Sequence, residues 1–381
     1  MDFALSDEQT AIFDMARNFA IEKIEPYALE WEENAVLPRE VLSELGELGM
    51  ASIYVGGEHG TGLTRLDAAL IFEGLSYGCA STAAFLTIHN MCTWMIETNA
   101  SDEIKDKWLP KLASGELICS YCLTEPGSGS DAAALRTSAR KMNDGYVLNG
   151  AKAFISGAGY SDLYLAMVRT GDEGPKGISA VLIENGTEGL SFGANERKMG
   201  WRNQPTAQVQ FDDCKVPLEN LVGREGDGFT YAMMGLDGGR LNIAACALGA
   251  AQSALDKAVT YMGERKAFGK TLDQFQALQF KLAEMEIELQ AARVFLRQAA
   301  WKLDNKHPDA TKHCAMAKKF VTDVCFNVAN DALQLHGGYG YLSDYGIEKI
   351  VRDLRVHQIL EGTNQIMRLI VSRALLKEHA A

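Results

Sequence analysis

The run Ile359-Leu360-Glu361-Gly362 places one carboxylate after two aliphatic residues and before a glycine. Apolar neighbours desolvate a carboxylate, which raises its pKa and makes it a stronger base. The chain has 50 Asp and Glu residues, so a single glutamate is weak evidence by itself. Its setting makes Glu361 our candidate for a general base.

A second stretch suited to chemistry is the loop YCLTEPGSGSD, residues 121–131. Its glycines, proline and hydroxyls predict exposed backbone N–H groups that can approach a flat polar ligand and donate hydrogen bonds to it. An ordinary loop between domains is the alternative. The stretch has no GxGxxG fingerprint, so a Rossmann nicotinamide site is not supported.

Two shorter motifs could line such a ligand. Phe154 and Ser156 lie two residues apart and so on one face of a strand, where they could stack on and hydrogen-bond to one ring system; a core Phe is the alternative. In LDGGR, residues 236–240, Asp237 is expected to cap a long helix while two glycines leave room for a ligand.

Two further motifs could bind the polar part of a larger cofactor. Arg265, in ERKAFGK, suits a pyrophosphate because a guanidinium bonds two oxygens at once, although a solvated basic turn is the alternative. QLHGGYGY, residues 334–341, has three glycines in four positions, more than a helix C-cap turn requires. Cys119 and Cys122 have CxxC spacing, but no second pair follows, so we interpret them as buried small hydrophobes and predict no metal site.

The elements that must position these residues occur in the order α, β, α. A capping box at Ser6 and Gln9 begins the first helix, which Pro26 interrupts. Further helices are predicted over about 38–49, 66–77, 82–98 and 101–113.

From about residue 121 the pattern changes to strands separated by turns. The turn Asn143-Asp144-Gly145 predicts a hairpin, and strands are predicted over 163–168, 178–183 and 207–211, which together indicate a small β-barrel or sandwich. Helices return near 226. There a seam spaced alternately by four and three residues indicates a bundle core, a subunit interface, or both: Leu278, Leu282, Met285, Leu289, Ala292 and Leu296.

Charge and hydropathy exclude some functions. The net charge of −13 argues against a nucleic-acid partner, which needs a basic surface. No apolar run approaches the roughly 18 to 20 residues that span a bilayer, so no membrane insertion is expected. The N-terminus MDFALSDEQT is neither a signal peptide nor an Arg-rich transit peptide. We therefore expect a cytoplasmic protein or, if eukaryotic and processed, one of the mitochondrial matrix.

Together these stretches resemble the acyl-CoA dehydrogenase family over essentially the full chain. The most specific matches are YCLTEPGSGSD, RKAFGK, QLHGGYGY and ILEGTNQIMRLI. The resemblance implies an α+β, mostly α fold with an N-terminal helical domain (1–120), a middle β-barrel domain (121–225) and a C-terminal four-helix bundle (226–381). It also implies FAD as cofactor and a homotetramer in which a neighbouring subunit completes each FAD site.

The same resemblance implies roles for individual residues. Glu361 matches the usual catalytic base, and Gly239 stands where some relatives place the base instead. FAD would contact Tyr121, Cys122, Leu123, Thr124, Gly129, Ser130, Phe154, Ile155, Ser156, Arg265, Phe275, Gln276, Gln334, Leu335, His336, Gly337, Gly338, Thr363, Asn364 and Gln365, with Arg265, Phe275, Gln276 and 334–338 serving a neighbour's FAD. Acyl-CoA would contact Ser130, Asp237, Gly238, Gly239, Arg240 and Arg373.

The implied reaction forms a trans-2-enoyl-CoA, with electrons passed to electron-transfer flavoprotein. HNMCTWMI and VHQILEGTNQIM resemble the branch of the family that acts on isobutyryl-CoA in valine breakdown; 2-methylbutyryl-CoA and short straight chains stay open. An acyl-CoA oxidase, a nitroalkane oxidase and a catalytically silent member are the competing interpretations.

Overall fold

The N-terminal helices begin where the sequence places caps, in a computed structural model that describes residues 4–380. Ser6 and Thr64 each form a capping box with the third residue of the helix that follows, as predicted for Ser6. A π turn and a 3₁₀ turn carry the chain past Pro26. The helices are α1 (Asp7–Phe19), α2 (Ala28–Glu33), α3 (Arg39–Glu47), α4 (Arg65–Ser76), α5 (Ala80–Asn99) and α6 (Asp102–Ala113).

The middle of the chain forms one mixed eight-stranded sheet. Its strands are β1 (Cys119–Cys122), β2 (Ser138–Lys141), β3 (Gly145–Ser156), β4 (Leu163–Arg169), β5 (Ile178–Glu184), β6 (Leu190–Phe192), β7 (Thr206–Pro217) and β8 (Leu221–Val222). Their order is β6-β7-β3-β2-β4-β5-β8, with β1 parallel to β4. The predicted hairpin and strands are confirmed.

The predicted barrel is wrong, because the sheet stays open. Its two edges, β6 and β8, are only three and two residues long, and within residues 4–380 they do not pair with each other. Closure would need two edge strands long enough to form a ladder. One face of the sheet packs on α5 and α6 around Leu165 and Met167, and the other buries Tyr146 and Tyr164.

The C-terminal region is built on three long helices. They are α7 (Gly228–Glu264), α8 (Gln276–Asp304) and α9 (Ala310–His336), followed by α10 (Ile347–His357) and α11 (Asn364–Ala380). A short hairpin of β9 (Lys266–Ala267) and β10 (Lys270–Thr271) joins α7 to α8. The predicted seam of α8 lies in a core shared by the N-terminal and C-terminal helices, which confirms its packing role.

The expected helix cap at Asp237 is wrong. Helix α7 begins at Gly228, so Asp237 lies nine residues inside it and instead pairs with Arg240, 2.5 Å away. Glycines in a helix interior cost stability, which made the LDGG run resemble a helix start. Close packing explains them here: a Cβ on Gly238 would collide with Arg65 Nη1, and one on Gly239 would lie 2.7 Å from Glu361 Oε2. No helix within residues 4–380 is both long and apolar enough to cross a membrane.

Candidate active site

Glu361 lies in the turn between α10 and α11 in a backbone conformation that few glutamates adopt. Its φ is 55°, and the next residue, Gly362, has φ 85°. L-residues with a Cβ are strained in this left-handed region, and such strain persists only where the surroundings impose it. The turn therefore holds the Glu361 side chain in a specified direction, at an energetic cost met by its neighbours.

The Glu361 carboxyl group packs against Gly239 of α7. A Cβ at position 239 would lie 2.7 Å from Glu361 Oε2, so only glycine leaves room for the carboxylate. Oε2 is shielded from solvent and has no hydrogen-bond partner in the structure. Burial raises the pKa of Glu361 to about 7, although the charges of Arg240 and Lys318 act to lower it. The raised pKa expected from the sequence is present, and its cause is desolvation.

The loop 121–131 is fixed to β3 from behind and open in front. Lys152 is buried and donates to Glu125 at 2.8 Å, and Ala153 donates its backbone N–H to the Thr124 carbonyl at 2.8 Å. In front, a Cβ on Gly127 or Gly129 would meet no atom within 4 Å. The other loop candidates are distributed between these two sides: Cys122 is buried, Leu123 and Thr124 are half-buried, and Gly129 and Ser130 are exposed.

Tyr121, at the start of this loop, directs a polar atom into the same interior as Glu361. Its hydroxyl is buried without a hydrogen-bond partner. Burial raises the pKa of Tyr121 well above its usual range, and the charge of Glu361 raises it further. The Tyr121 hydroxyl is therefore a neutral donor close enough to Glu361 to sense its charge.

Phe154 is an exposed aromatic ring on the sheet. Its φ is 57°, in a stretch where the pairing of β3 with β7 shifts register. The side chain is 68% exposed while Ile155 is buried and Ser156 is half-buried. The alternative of a core Phe is wrong, because the bulge turns this side chain out of the sheet. That Phe154 and Ser156 contact one ring system stays a prediction.

Two buried arginines, Arg240 on α7 and Arg65 on α4, lie at the LDGGR segment. Arg240 is buried, pairs with Asp237 and leaves its Nε without a partner. The guanidinium carbon of Arg65 lies 3.6 Å from the ring centre of Tyr54, and its Nη1 is also buried without a partner. A Cβ on Gly238 would collide with Arg65 Nη1. Unpartnered buried polar atoms are costly, and their convergence here is typical of a ligand site.

The candidates for the cofactor's polar end form a separate cluster. The guanidinium carbon of Arg265 lies 5.4 Å from the ring centre of Tyr339, and Tyr261 stacks on His336 at 4.5 Å. Gly337 has φ 59° and Gly338 faces open space, so a helix end explains only part of the glycine run. Leu335 and His336 are buried, Gln334 and Gln276 are exposed, and Phe275 is half-buried with a ring edge-on to Phe268.

Helix α7 shows how far this cluster is from Glu361. Gly239 touches Glu361 and Glu264 precedes Arg265, and these two positions are 25 residues apart in α7. At about 1.5 Å per residue the separation along the axis is about 38 Å. The two sets of candidates are therefore not brought together within one chain.

The remaining candidates lie on the last helix and its approach. Asn364 is buried beneath the Glu361 turn, Thr363 is half-buried and Gln365 is exposed. Arg373 is exposed on α11. Within residues 4–380, no group of three His, Cys, Asp or Glu side chains is arranged to hold a metal ion.

Two buried basic residues of this region were not predicted from the sequence. Lys318 is completely buried in α9 and bonds to the Glu361 turn, and Arg65 lies against Gly238. A signal existed for Lys318, because it falls on the helix face that carries Cys314, Val321 and Cys325. A lysine is rarely buried on an apolar helix face unless a polar group pairs with it.

Three domain models of the acyl-CoA dehydrogenase family match the chain. The N-terminal model covers residues 6–116, the middle model 120–214 and the C-terminal model 226–376.

Similar proteins cover almost the whole chain. Mitochondrial isobutyryl-CoA dehydrogenases of Dictyostelium discoideum and Bos taurus are 53% and 51% identical, each over 98% of this chain and 90% of the relative. The structure of butyryl-CoA dehydrogenase from Megasphaera elsdenii superposes with a TM-score of 0.95 at 38% identity, over 99% of this chain and 100% of that one.

Proposed function

The chain belongs to the acyl-CoA dehydrogenase family, and from this membership we propose that it oxidises short branched acyl-CoA thioesters to trans-2-enoyl-CoA, with Glu361 as the base. The observation that carries the proposal is the Glu361 carboxyl group, which has a pKa of about 7 and a buried, unpartnered Oε2. A base with a pKa near neutrality combines an available lone pair with a sufficient drive for proton transfer.

Members of the family use FAD, and the described residues fit such a group. The front of the loop 121–131 is open, Phe154 is exposed, and the Tyr121 hydroxyl lacks a partner. Loop residues 121–124 with Gly129, Ser130 and 154–156 would hold the ring and its side arm, with 363–365 beside the base. Bound FAD supplies the acceptor for the hydride that leaves the substrate's β-carbon.

The chain's own residues hold the proton acceptor in place and keep water from it. The left-handed turn directs Glu361 towards Gly239, and burial favours the uncharged product of proton transfer. The backbone N–H of Glu361 makes no hydrogen bond within residues 4–380, so it is free to donate to a thioester carbonyl. Such a donor stabilises the charge that develops on the carbonyl when the α-proton leaves.

The proposed substrate class is supported by the relatives that are named isobutyryl-CoA dehydrogenases at 51% and 53% identity. Gly239 packs against the Glu361 carboxyl group. We propose that Asp237–Arg240 line the acyl-CoA channel, with Ser130 near the thioester and Arg373 near the CoA end. A short straight chain or 2-methylbutyryl-CoA is the alternative, because one methylene changes selectivity by only about 1–3 kcal/mol.

The test is the variant Glu361→Gln with anaerobic reduction of the flavin by isobutyryl-CoA. We expect FAD and substrate to bind while the reduction rate falls about 10³-fold, since the amide cannot take the proton. Glu188→Gln, an exposed change in the turn before β6, is the matched control. Reduction by Glu361→Gln at the wild-type rate would refute the assignment of the base.

We propose further that the protein works as a homotetramer. A flavin ring beside Glu361 and a pyrophosphate at Arg265 cannot belong to one FAD in one chain, because a five-carbon ribityl arm spans only about 10 Å at bond lengths near 1.5 Å. The separation of about 38 Å along α7 therefore favours a site in which Arg265, Phe275, Gln276 and 334–338 serve the FAD of a neighbouring subunit.

A surface suited to self-association is present on α8. Four exposed apolar side chains recur every seven residues: Phe280, Ile287, Val294 and Trp301. This is the spacing of a helix–helix seam, and a second copy presents the same stripe. Analytical ultracentrifugation should give a tetramer for the wild type and smaller species for Ile287→Glu; an unchanged assembly would contradict the use of this stripe.

We propose electron-transfer flavoprotein as the electron acceptor, as in the family. Hydrogen peroxide released during turnover in air at the rate of substrate consumption would instead favour an oxidase. A colourless protein that cannot be reconstituted with FAD would favour a silent member of the family.

A further inference from the structure

Lys318 is a completely buried lysine directly beneath the Glu361 turn. It lies in the middle of α9, and its ammonium group donates to the Gly362 carbonyl and to Asn364 Oδ1, each at 2.9 Å. Among residues 4–380 no carboxylate forms an ion pair with it. The carboxylates that favour its charge through space are Glu361 and Asp323, whereas Arg240 disfavours it.

A buried ammonium group is costly, so its retention in an apolar helix face requires a reason. Burial lowers the pKa of Lys318 to about 7. A methionine or leucine would fill the same space between Cys314, Val321 and Cys325 without that cost. The hydrogen bonds of Lys318 indicate its role, because both acceptors belong to the turn that carries Glu361.

The same face of α9 anchors both ends of this turn. Asn364 donates to Thr322 Oγ1 at 3.0 Å and to Asp323 Oδ1 at 2.7 Å. The side-chain amide of Gln358 donates to Asp323 Oδ1 at 2.8 Å. The Gln358 backbone carbonyl accepts from the Asn364 backbone N–H at 3.0 Å. The turn from Gln358 to Asn364 is therefore closed on itself and fastened to one helix, with Glu361 at its strained tip.

We propose that Lys318 is a positioning residue that acts through Glu361: its bond to the Gly362 carbonyl fixes the carboxylate, and its positive charge favours the ionised, reactive form of the base. The proposal rests on the function proposed above and deepens it. Charged groups reach Glu361 from two helices, Arg240 on α7 and Lys318 on α9; Cys92 on α5 and Tyr121 on β1 face it uncharged.

Two substitutions separate the two parts of this role. Lys318→Gln keeps a hydrogen-bond donor for the Gly362 carbonyl and removes the charge, whereas Lys318→Met removes both. Lys312→Met is the control on the same helix, because Lys312 pairs with Glu378 at 2.7 Å away from the turn. FAD content and melting temperature report whether each variant is folded, and Lys318→Gln is judged alone if Lys318→Met is not.

The first measurement is a pH titration of the Glu361 carboxylate by infrared difference spectroscopy on the holoenzyme without substrate. The matching Glu361→Gln protein is subtracted in each background. Loss of the Lys318 charge should move the midpoint upwards by about one pH unit in Lys318→Gln, while Lys312→Met keeps the wild-type midpoint. This readout does not depend on turnover, so it tests Lys318 even if no acyl-CoA reduces the flavin.

The second measurement is the pH dependence of flavin reduction in the same proteins. Lys318→Gln should regain most of the wild-type rate at high pH, and Lys318→Met should stay about 10²-fold slow at every pH, since a misdirected base loses its near-attack geometry. A purely structural role would lower the rate without moving either midpoint. An unmoved midpoint in Lys318→Gln, or wild-type kinetics in both variants, overturns the proposal.

Discussion

The contact between Gly239 and Glu361 makes a sharp prediction for the variant Gly239→Ala. The new Cβ would lie 2.7 Å from Glu361 Oε2 and 3.1 Å from its carboxyl carbon, whereas ordinary van der Waals contact begins near 3.4 Å. The carboxylate must therefore move by about 0.7 Å. Misplacement of a reacting group by about 1 Å can cost about 10²-fold in rate, so flavin reduction should slow by roughly that factor.

The fold should tolerate this change, because the obstructed atom is the end of a flexible side chain. Alanine also favours a helix interior over glycine by about 1 kcal/mol. Gly263→Ala is the matched control, because Gly263 lies in the same helix and its new Cβ would meet no atom within 4 Å. It should keep the wild-type rate, and its gain in helix stability should be smaller because Gly263 lies one residue before the end of the helix.

The assay is stopped-flow reduction of the flavin by a saturating acyl-CoA, with melting temperature and FAD content measured on the same samples. Flavin reduction by Gly239→Ala as fast as by Gly263→Ala would refute the predicted displacement of the carboxylate. A slow rate that is explained by lost FAD would refute it as well, since the contact involves only the base.

Three further predictions follow from named contacts. Flavin reduction should rise about tenfold from pH 6 to pH 8, because the base acts when ionised and its pKa is about 7; a flat profile contradicts this. Lys152→Met should destabilise the protein by about 3–5 kcal/mol and loosen FAD, because Glu125 then lacks its ion-pair partner in the interior. Lys141→Met breaks only an exposed ion pair, worth about 1 kcal/mol or less. Urea unfolding measures the free energy of both variants, and equal losses would be contrary to expectation. Inactive Glu361→Gln and Arg265→Glu subunits, mixed and reassembled, should recover activity because one site per pair is then intact; no recovery argues against a shared FAD site.

The features that were predicted correctly from the sequence are local. The capping box at Ser6 and the hairpin after Asn143 depend on residues a few positions apart, and the seam of α8 depends on one helix period. Glu361 was recognised as a base candidate from its immediate neighbours, and the burial that raises its pKa agrees with that interpretation.

The features that were missed or mistaken depend on distant parts of the chain. Whether the sheet closes depends on the pairing of β6 with β8, which no local pattern reports. The glycines of LDGGR looked like a helix start because nothing nearby in the sequence accounts for them. In the structure Gly238 packs against Arg65 and Gly239 against Glu361, both far away in sequence. The role of Lys318 likewise depends on a turn 44 residues further along the chain.

The most direct test of the account is anaerobic flavin bleaching of the purified holoenzyme with a panel of acyl-CoAs: butyryl, isobutyryl, 2-methylbutyryl, isovaleryl and octanoyl. We predict the fastest bleaching with isobutyryl-CoA, which would support both the reaction and the short branched substrate. Fastest bleaching with a straight chain would contradict the substrate while keeping Glu361 as the base. A protein that holds FAD but is bleached by none of them would contradict the proposed reaction itself.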